Sequence, residues 1–171
     1  MRWLLVAIFA YLLVAIQTTL FDTRLLAFQV FGVWIKPDLL LLMALFIALT
    51  AEPAEAFIAG WGLGLAEDLT VHLGPLGVAA LLFAAAAYLV SLARTVLPAR
   101  RILAQVLMAL GVVFIVRLPH QLLLFWLTDS PAGPLYALIK ALGDAGYSAL
   151  LAPYLFWVLR RTVAASAPPR R

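Results

Sequence analysis

Long apolar runs alternate with short breaks that hold most of the polar residues and prolines of the chain. A helix needs about 20 apolar residues to cross the hydrocarbon core of a bilayer, with a range of roughly 17–25. The runs predict six membrane-spanning helices, at residues 3–21, 37–51, 54–67, 75–93, 102–127 and 135–159. The second and third runs are short, so one of them would be tilted, re-entrant or partly buried. A five-span arrangement that merges or omits one run is the competing interpretation.

The composition favours lipid as the solvent of these helices. Hydrophobic residues make up 66% of the 171 residues and charged residues only 12%, and the mean hydropathy is +1.09. A soluble domain is about 45–50% apolar, and a chain of this length cannot hide such an excess in one core. We therefore predict an all-α polytopic membrane protein, a six-transmembrane-helix bundle. It would form a single transmembrane domain over residues 1–163, with a disordered basic tail at 164–171.

The positive charges predict the orientation of the bundle. Eight of the twelve Lys and Arg residues lie in three places: Arg2; Arg94, Arg100 and Arg101; and Arg160, Arg161, Arg170 and Arg171. Six spans place all three groups on one side, which the positive-inside rule identifies as cytoplasmic. The N- and C-termini are therefore predicted to be cytoplasmic, whereas five spans would separate them. The basic residues that set the orientation also account for the sequence pI of about 9.9. We therefore expect contact with membrane lipid and no nucleic-acid partner.

Residues 22–36, with the sequence DTRLLAFQVFGVWIK, connect the first two predicted spans on the outer side. Their large apolar side chains favour two interpretations equally. The segment lies on the outer leaflet as an interfacial element, or it is an apolar loop packed on the bundle.

A set of polar residues falls inside or at the ends of the predicted spans. Arg117, His120 and Gln121 are spaced i, i+3, i+4, and Lys140 and Asp144 are spaced i, i+4, so each group forms one polar stripe on its helix. An arginine at a helix centre costs about 2.5–3.5 kcal/mol to insert, so pairing is expected. The complete set is Asp38, Glu67, Asp68, Arg117, His120, Gln121, Lys140 and Asp144.

Opposite charge and shared depth predict two ion pairs. Arg117 would pair with Glu67 or Asp68, and Lys140 with Asp144 along its own helix. The cluster is either an internal network that fixes helix register or a site for a partner or ligand, and the sequence leaves both open.

The sequence lacks the motifs of an enzyme. It contains no HExxH, no GxSxG and no glycine-rich phosphate loop. With no cysteine, two histidines and scattered acids, it is also a poor candidate for a metal site. We expect a non-enzymatic protein without metal or cofactor.

Small residues recur on one face of the third predicted span. Ala56, Gly60 and Gly64 are spaced four residues apart, which allows another helix to approach closely. We expect them to serve helix packing within the bundle.

Several of these features together resemble the rod shape-determining protein MreD family, over nearly the whole chain. They are the first span ending in Gln17-Thr18-Thr19-Leu20, the Lys36-Pro37-Asp38 start of the second span, and the stretch 57–77. That stretch contains three glycines at alternate positions, Asp68 and a Leu-Gly-Pro-Leu-Gly turn. Glu67, an additional charge, and the proline- and arginine-rich tail depart from the family's pattern.

The resemblance implies a fold and a function. The family is similar in fold to the six-helix S-components of energy-coupling-factor transporters. It implies a multi-pass protein of the bacterial inner membrane that regulates cell shape as a scaffold in the cell-wall elongation machinery. The implied partners are an MreC-like bitopic protein, the glycosyltransferase RodA, a class B penicillin-binding transpeptidase and the actin-like MreB. The alternative is a small-molecule-binding membrane transporter subunit resembling an S-component.

Overall fold

Six helices account for most of the residues that the structure describes. The structure is a computed structural model, and it describes residues 2–21, 28–30, 32–70, 75–94, 102–128 and 133–164. The helices are α1 (Arg2–Ile16), which continues as a π-helical turn (Gln17–Phe21), α2 (Leu39–Thr50), α3 (Pro53–Thr70), α4 (Val78–Ala93), α5 (Ile102–Thr128) and α6 (Pro134–Ala164). Each coincides within a few residues with one of the six apolar runs, so the all-α prediction is confirmed. The predicted disordered tail lies, from residue 165 onwards, outside the described residues.

Helix α2 lies at the centre of the bundle. All its side chains from Leu39 to Ala48 are buried, and each of the other five helices contacts it. Its 12 residues extend only about 18 Å, which is less than the ~30 Å hydrocarbon core of a bilayer. A helix that is apolar all round is one that other helices surround. The short second run is therefore accommodated by burial within the protein.

The contacts of α2 fix the direction of its neighbours. The backbone N–H of Asp38 donates to Ser148 Oγ on α6 at 2.8 Å. Eight residues further along both helices, the rings of Phe46 and Phe156 lie 5.9 Å apart, so α2 and α6 run parallel. At the opposite end of α2, Arg94 donates to the carbonyl of Ala51. We call the two ends of the bundle the Asp38 end and the Arg94 end.

The outer surface of the bundle is apolar. Large side chains on five helices are more than half exposed, for example Ile58, Leu81, Ile115 and Leu150. Such a surface is typical of contact with lipid or with other helices. By length and hydropathy, one helix in the described part of the chain qualifies as a membrane span, Ile102–Leu127. Val6–Thr19, Leu39–Thr50 and Val78–Ala93 are shorter apolar helices.

A short hairpin covers the Asp38 end. Strand β1 (Phe28–Val30) pairs antiparallel with β2 (Val33–Ile35), and Gly32 in the turn has a φ of +78°. Val33 is buried, and the Ile35 side chain lies so close to Gly143 of α6 that a Cβ there would be 2.5 Å from its Cδ1. This part of the 22–36 segment thus packs on the bundle through β2, while Phe28 remains exposed. Residues 22–27 and 31 lie outside the described residues.

Helices α3 and α4 pack at close range through small residues. A Cβ added to Gly64 would lie 2.5 Å from the carbonyl oxygen of Ala79, and one added to Gly60 would lie 2.7 Å from that of Phe83. The contacts run in opposite directions along the two helices, so α3 and α4 are antiparallel. Ala56, the third small residue of this face, is fully buried. Small side chains of this kind let two helix backbones approach closely.

We predict that Gly64→Ala destabilises the bundle and that Gly62→Ala does not. The first places a methyl group against the backbone of α4, and overpacking of this kind costs about 1–3 kcal/mol. Gly62 has nothing within 4 Å of the same added atom, and alanine is the better helix former by about 1 kcal/mol. Thermal unfolding in detergent measures both variants. Equal melting temperatures would contradict the close α3–α4 packing.

Candidate functional site

A single arginine joins three helices in the interior. Arg117 Nη2 lies 2.5 Å from Asp38 Oδ2, before the start of α2, and 2.5 Å from Glu67 Oε1 on α3. All three residues are buried, with Arg117 only 6% exposed. Arg117 precedes the end of α5 by 11 residues, a distance of about 16 Å along the helix. We call these three residues the Arg117 bridge.

Asp38 has two roles at the start of α2. Its Oδ1 accepts a hydrogen bond from Leu41 N at 3.0 Å, the contact of a helix N-cap. A carboxylate is also favourable beside the positive end of the helix dipole. Its Oδ2 is the oxygen that contacts Arg117. One side chain therefore begins the central helix and supplies half of the counter-charge of the arginine.

The neighbouring acids Glu67 and Asp68 serve different helices. Successive residues of a helix point about 100° apart, and Glu67 faces Arg117 while Asp68 faces the start of α4. Asp68 Oδ2 accepts from the backbone N–H groups of Gly77 and Ala80, both at 3.0 Å, and its Oδ1 accepts from Ala79 at 3.2 Å. These are among the amides that a helix start leaves without partners. Of the two acids predicted to pair with Arg117, the structure thus brings Glu67 to it.

Three side chains of α6 hold the extended segment that precedes α2. Lys140 Nζ donates to Trp34 O at 3.1 Å, Lys36 N donates to Asp144 Oδ1 at 2.9 Å, and Asp38 N donates to Ser148 Oγ at 2.8 Å. Four residues of helix advance about 6.0 Å and two residues of extended chain about 6.6 Å, so the two registers match. Lys140 Nζ also lies 3.1 Å from Asp144 Oδ2. We call Lys140, Asp144 and Ser148 the α6 stripe.

His120 and Gln121 lie one turn beyond Arg117 on α5. Arg117 Nη1 is 3.4 Å from His120 Nδ1, and because a guanidinium can only donate, Nδ1 is the acceptor and Nε2 carries the hydrogen. The guanidinium also lies 5.9 Å from the ring centroid of Phe83, within range of a cation–π contact. Gln121 is partly buried. It makes no hydrogen bond to another described residue.

A small cavity of about 150 Å³ adjoins the Arg117 bridge. Its walls include side chains of α3, α5 and α6, among them Glu67, Arg117, His120, Gln121, Lys140 and Asp144. Seven of the eight polar residues predicted from the sequence thus belong to one connected region, and Asp68 is bonded elsewhere. No group of three acidic, histidine or cysteine side chains within the described ranges is placed to hold a metal ion.

Sequence reasoning missed two features of this region. It did not assign Asp38 to Arg117, although the Pro37-Asp38 helix start already placed a carboxylate at the right end of α2. It also did not identify the backbone partners of the α6 stripe. Those partners are main-chain groups of residues 34–38, and a backbone N–H or C=O leaves no signal in the side-chain pattern.

We predict that Arg117→Leu and Glu67→Gln are coupled, whereas Arg117→Leu and Asp68→Asn are additive. Removing Arg117 leaves two buried carboxylates without a counter-charge, which costs about 3–5 kcal/mol. Glu67→Gln then removes one of these charges, so the double variant should be more stable than the sum of its parts by more than about 1 kcal/mol. Asp68 does not contact Arg117, and its change should add within about 0.5 kcal/mol.

Unfolding free energies of the wild-type protein, the three single variants and the two double variants measure this coupling. Glu67 and Asp68 are adjacent and both acidic. The double-mutant cycle with Asp68→Asn is therefore the matched control for the cycle with Glu67→Gln. Equal coupling in the two cycles would contradict the assignment of Glu67 to Arg117.

The family model described as rod shape-determining protein MreD matches residues 1–161. No curated protein and no solved structure matches the chain. The matched range includes the Arg117 bridge, the α6 stripe and the small residues of α3. The chain therefore belongs to the rod shape-determining protein MreD family, a family of membrane-associated proteins.

Proposed function

We propose that this protein is a non-enzymatic scaffold of the bacterial cell-wall elongation machinery. The observation that carries the proposal is the family match over residues 1–161, and membership itself supports a role in rod shape determination. The proposed partners are an MreC-like bitopic protein and, with it, RodA, a class B penicillin-binding transpeptidase and MreB. The proposed location is the inner membrane, with six crossings and both termini in the cytoplasm.

The ion pairs of the buried charged residues support a structural role for the polar cluster. Asp38, Glu67 and Arg117 are each at most 6% exposed, and both acids contact Arg117. A partner helix cannot reach such groups without breaking the bridge. The exterior of the bundle, and in particular the hairpin at the Asp38 end, is the surface available for a partner.

The hairpin offers an exposed aromatic side chain held by a rigid support. Phe28 is 60% exposed, and its ring lies 5.5 Å from that of Tyr147 in an edge-to-face arrangement. Trp34 of the paired strand β2 and the backbone of Lys36, just after the strand, are bound in turn to the α6 stripe. Aromatic side chains, phenylalanine among them, are enriched in protein–protein interfaces. We infer that Phe28 contacts the bitopic partner.

We predict that Phe28→Ala lowers recovery of an MreC-like protein by at least about fivefold, because an anchor residue contributes about 1 kcal/mol or more. Tagged protein purified in mild detergent from its native host, followed by mass spectrometry, measures the recovery. Phe57→Ala is the matched control. Phe57 is also exposed and also makes an edge-to-face contact with a tyrosine, Tyr88, but it lies towards the Arg94 end. Equal loss in both variants, or in neither, would overturn the hairpin assignment.

The proposed orientation makes a separate prediction. Reporter fusions after Arg101 and after Arg171 should be active in the cytoplasm, and a fusion after Asp129 should be active in the periplasm. The physical reason is the positive-inside rule applied to six crossings. A single reversed reporter would rule out the six-span arrangement.

A second candidate function is a membrane transporter subunit that binds a small molecule. The observation that favours it is the cavity beside Glu67. The same purification separates the two functions. Recovery of an ATPase pair with a coupling subunit supports the transporter, and recovery of the bitopic protein supports the scaffold.

A further inference from the structure

Three polar groups around the cavity lack partners in the described part of the chain. Glu67 is 1% exposed, and its Oε2 has no hydrogen-bond partner although Oε1 contacts Arg117. The amide of Gln121 makes no hydrogen bond to a described residue, and His120 uses only Nδ1. A buried polar group without a partner costs about 1–3 kcal/mol, and more when it is charged. The three residues that carry these groups line one cavity of about 150 Å³.

The unpartnered groups supply both kinds of hydrogen-bonding atom. Glu67 Oε2 is a charged acceptor. His120 Nε2 carries a hydrogen, because Nδ1 accepts from Arg117, and the Gln121 amide has two donors and an acceptor. A few convergent polar groups in a preformed cavity are the usual features of a small-molecule site.

The charges around the cavity restrict the ligand. Five charged side chains line the cavity, and Asp38 pairs with one of them, Arg117. The set contains three cationic residues, Lys36, Arg117 and Lys140, and three anionic residues, Asp38, Glu67 and Asp144. A ligand with a net charge would add an uncompensated charge to a buried region, which is costly. The cavity is also smaller than the roughly 300–1,000 Å³ of sites for drug-sized molecules.

We propose that this cavity binds a small zwitterion of the amino-acid class. Its ammonium group donates to the carboxylate of Glu67, and its carboxylate accepts from His120 Nε2 and the Gln121 amide. Such a ligand gives each of the three side chains a partner and leaves the local charge balance unchanged. The proposal does not depend on which proteins assemble with the chain.

The test is a thermal-unfolding series on the full-length protein in detergent. Glycine and L-alanine are the probes, and L-tryptophan is the size control, which the cavity is too small to admit. At about tenfold excess over Kd, glycine or L-alanine should raise Tm by about 3–6 °C. Gln121→Leu should abolish the shift while leaving the Arg117 bridge intact. Gln29→Leu, a change of the same kind at an exposed position of the hairpin, should retain it.

Three results would overturn the proposal. The first is no shift with any amino acid in the wild-type protein, which indicates a cavity that holds only water. The second is an equal shift in Gln121→Leu, or in His120→Phe should the first variant not fold. The third is an equal shift with sodium acetate, methylammonium chloride or acetamide, which shows that a zwitterion is not required. A negative result here leaves the scaffold function standing, because partner recovery is measured separately.

Discussion

The burial of Arg117 in an apolar bundle is the constraint on which the rest of the architecture depends. A guanidinium stays charged in proteins, and its insertion at a helix centre costs about 2.5–3.5 kcal/mol before pairing. Asp38 and Glu67 must therefore both reach one nitrogen, Nη2, from different helices. This requirement sets where α2 begins and how α3 is rotated. The central helix can be fully apolar because its charged contact is made by Asp38, the residue that caps its start.

The close packing of α3 on α4 fixes the direction of Glu67. Gly60 and Gly64 allow the two backbones to approach, and Asp68 then reaches the first amides of α4. With α3 held on that face, the adjacent residue Glu67 points towards α5. The packing at the glycines, the Asp68 cap of α4 and the Arg117 bridge thus all depend on one orientation of α3. A substitution that disturbs one of these contacts is expected to weaken the others, since neighbouring contacts are not energetically independent.

Much of the helical framework could be predicted from the sequence, because apolar runs and their breaks report directly on helix length. The i, i+4 spacing also identified Lys140 and Asp144 as a pair. Two parts of the site could not be obtained this way. Glu67 and Asp68 are adjacent and chemically alike, and only the rotation of α3 decides which one faces Arg117. The hairpin could not be predicted because Phe28–Ile35 is apolar on both faces and its support, the α6 stripe, binds main-chain atoms.

The extended segment 34–38 connects the interior of the bundle to its surface. Its first residue, Trp34, belongs to the hairpin, and its last, Asp38, belongs to the Arg117 bridge, while the α6 stripe holds both. Lys36 between them also lines the cavity. Any partner that moves the hairpin therefore acts on the same few hydrogen bonds that position the cavity wall. Coupling between two binding events is reciprocal by thermodynamic necessity. A ligand in the cavity would therefore change the affinity of the hairpin for its partner by the same factor by which the bound partner changes the affinity of the cavity for the ligand.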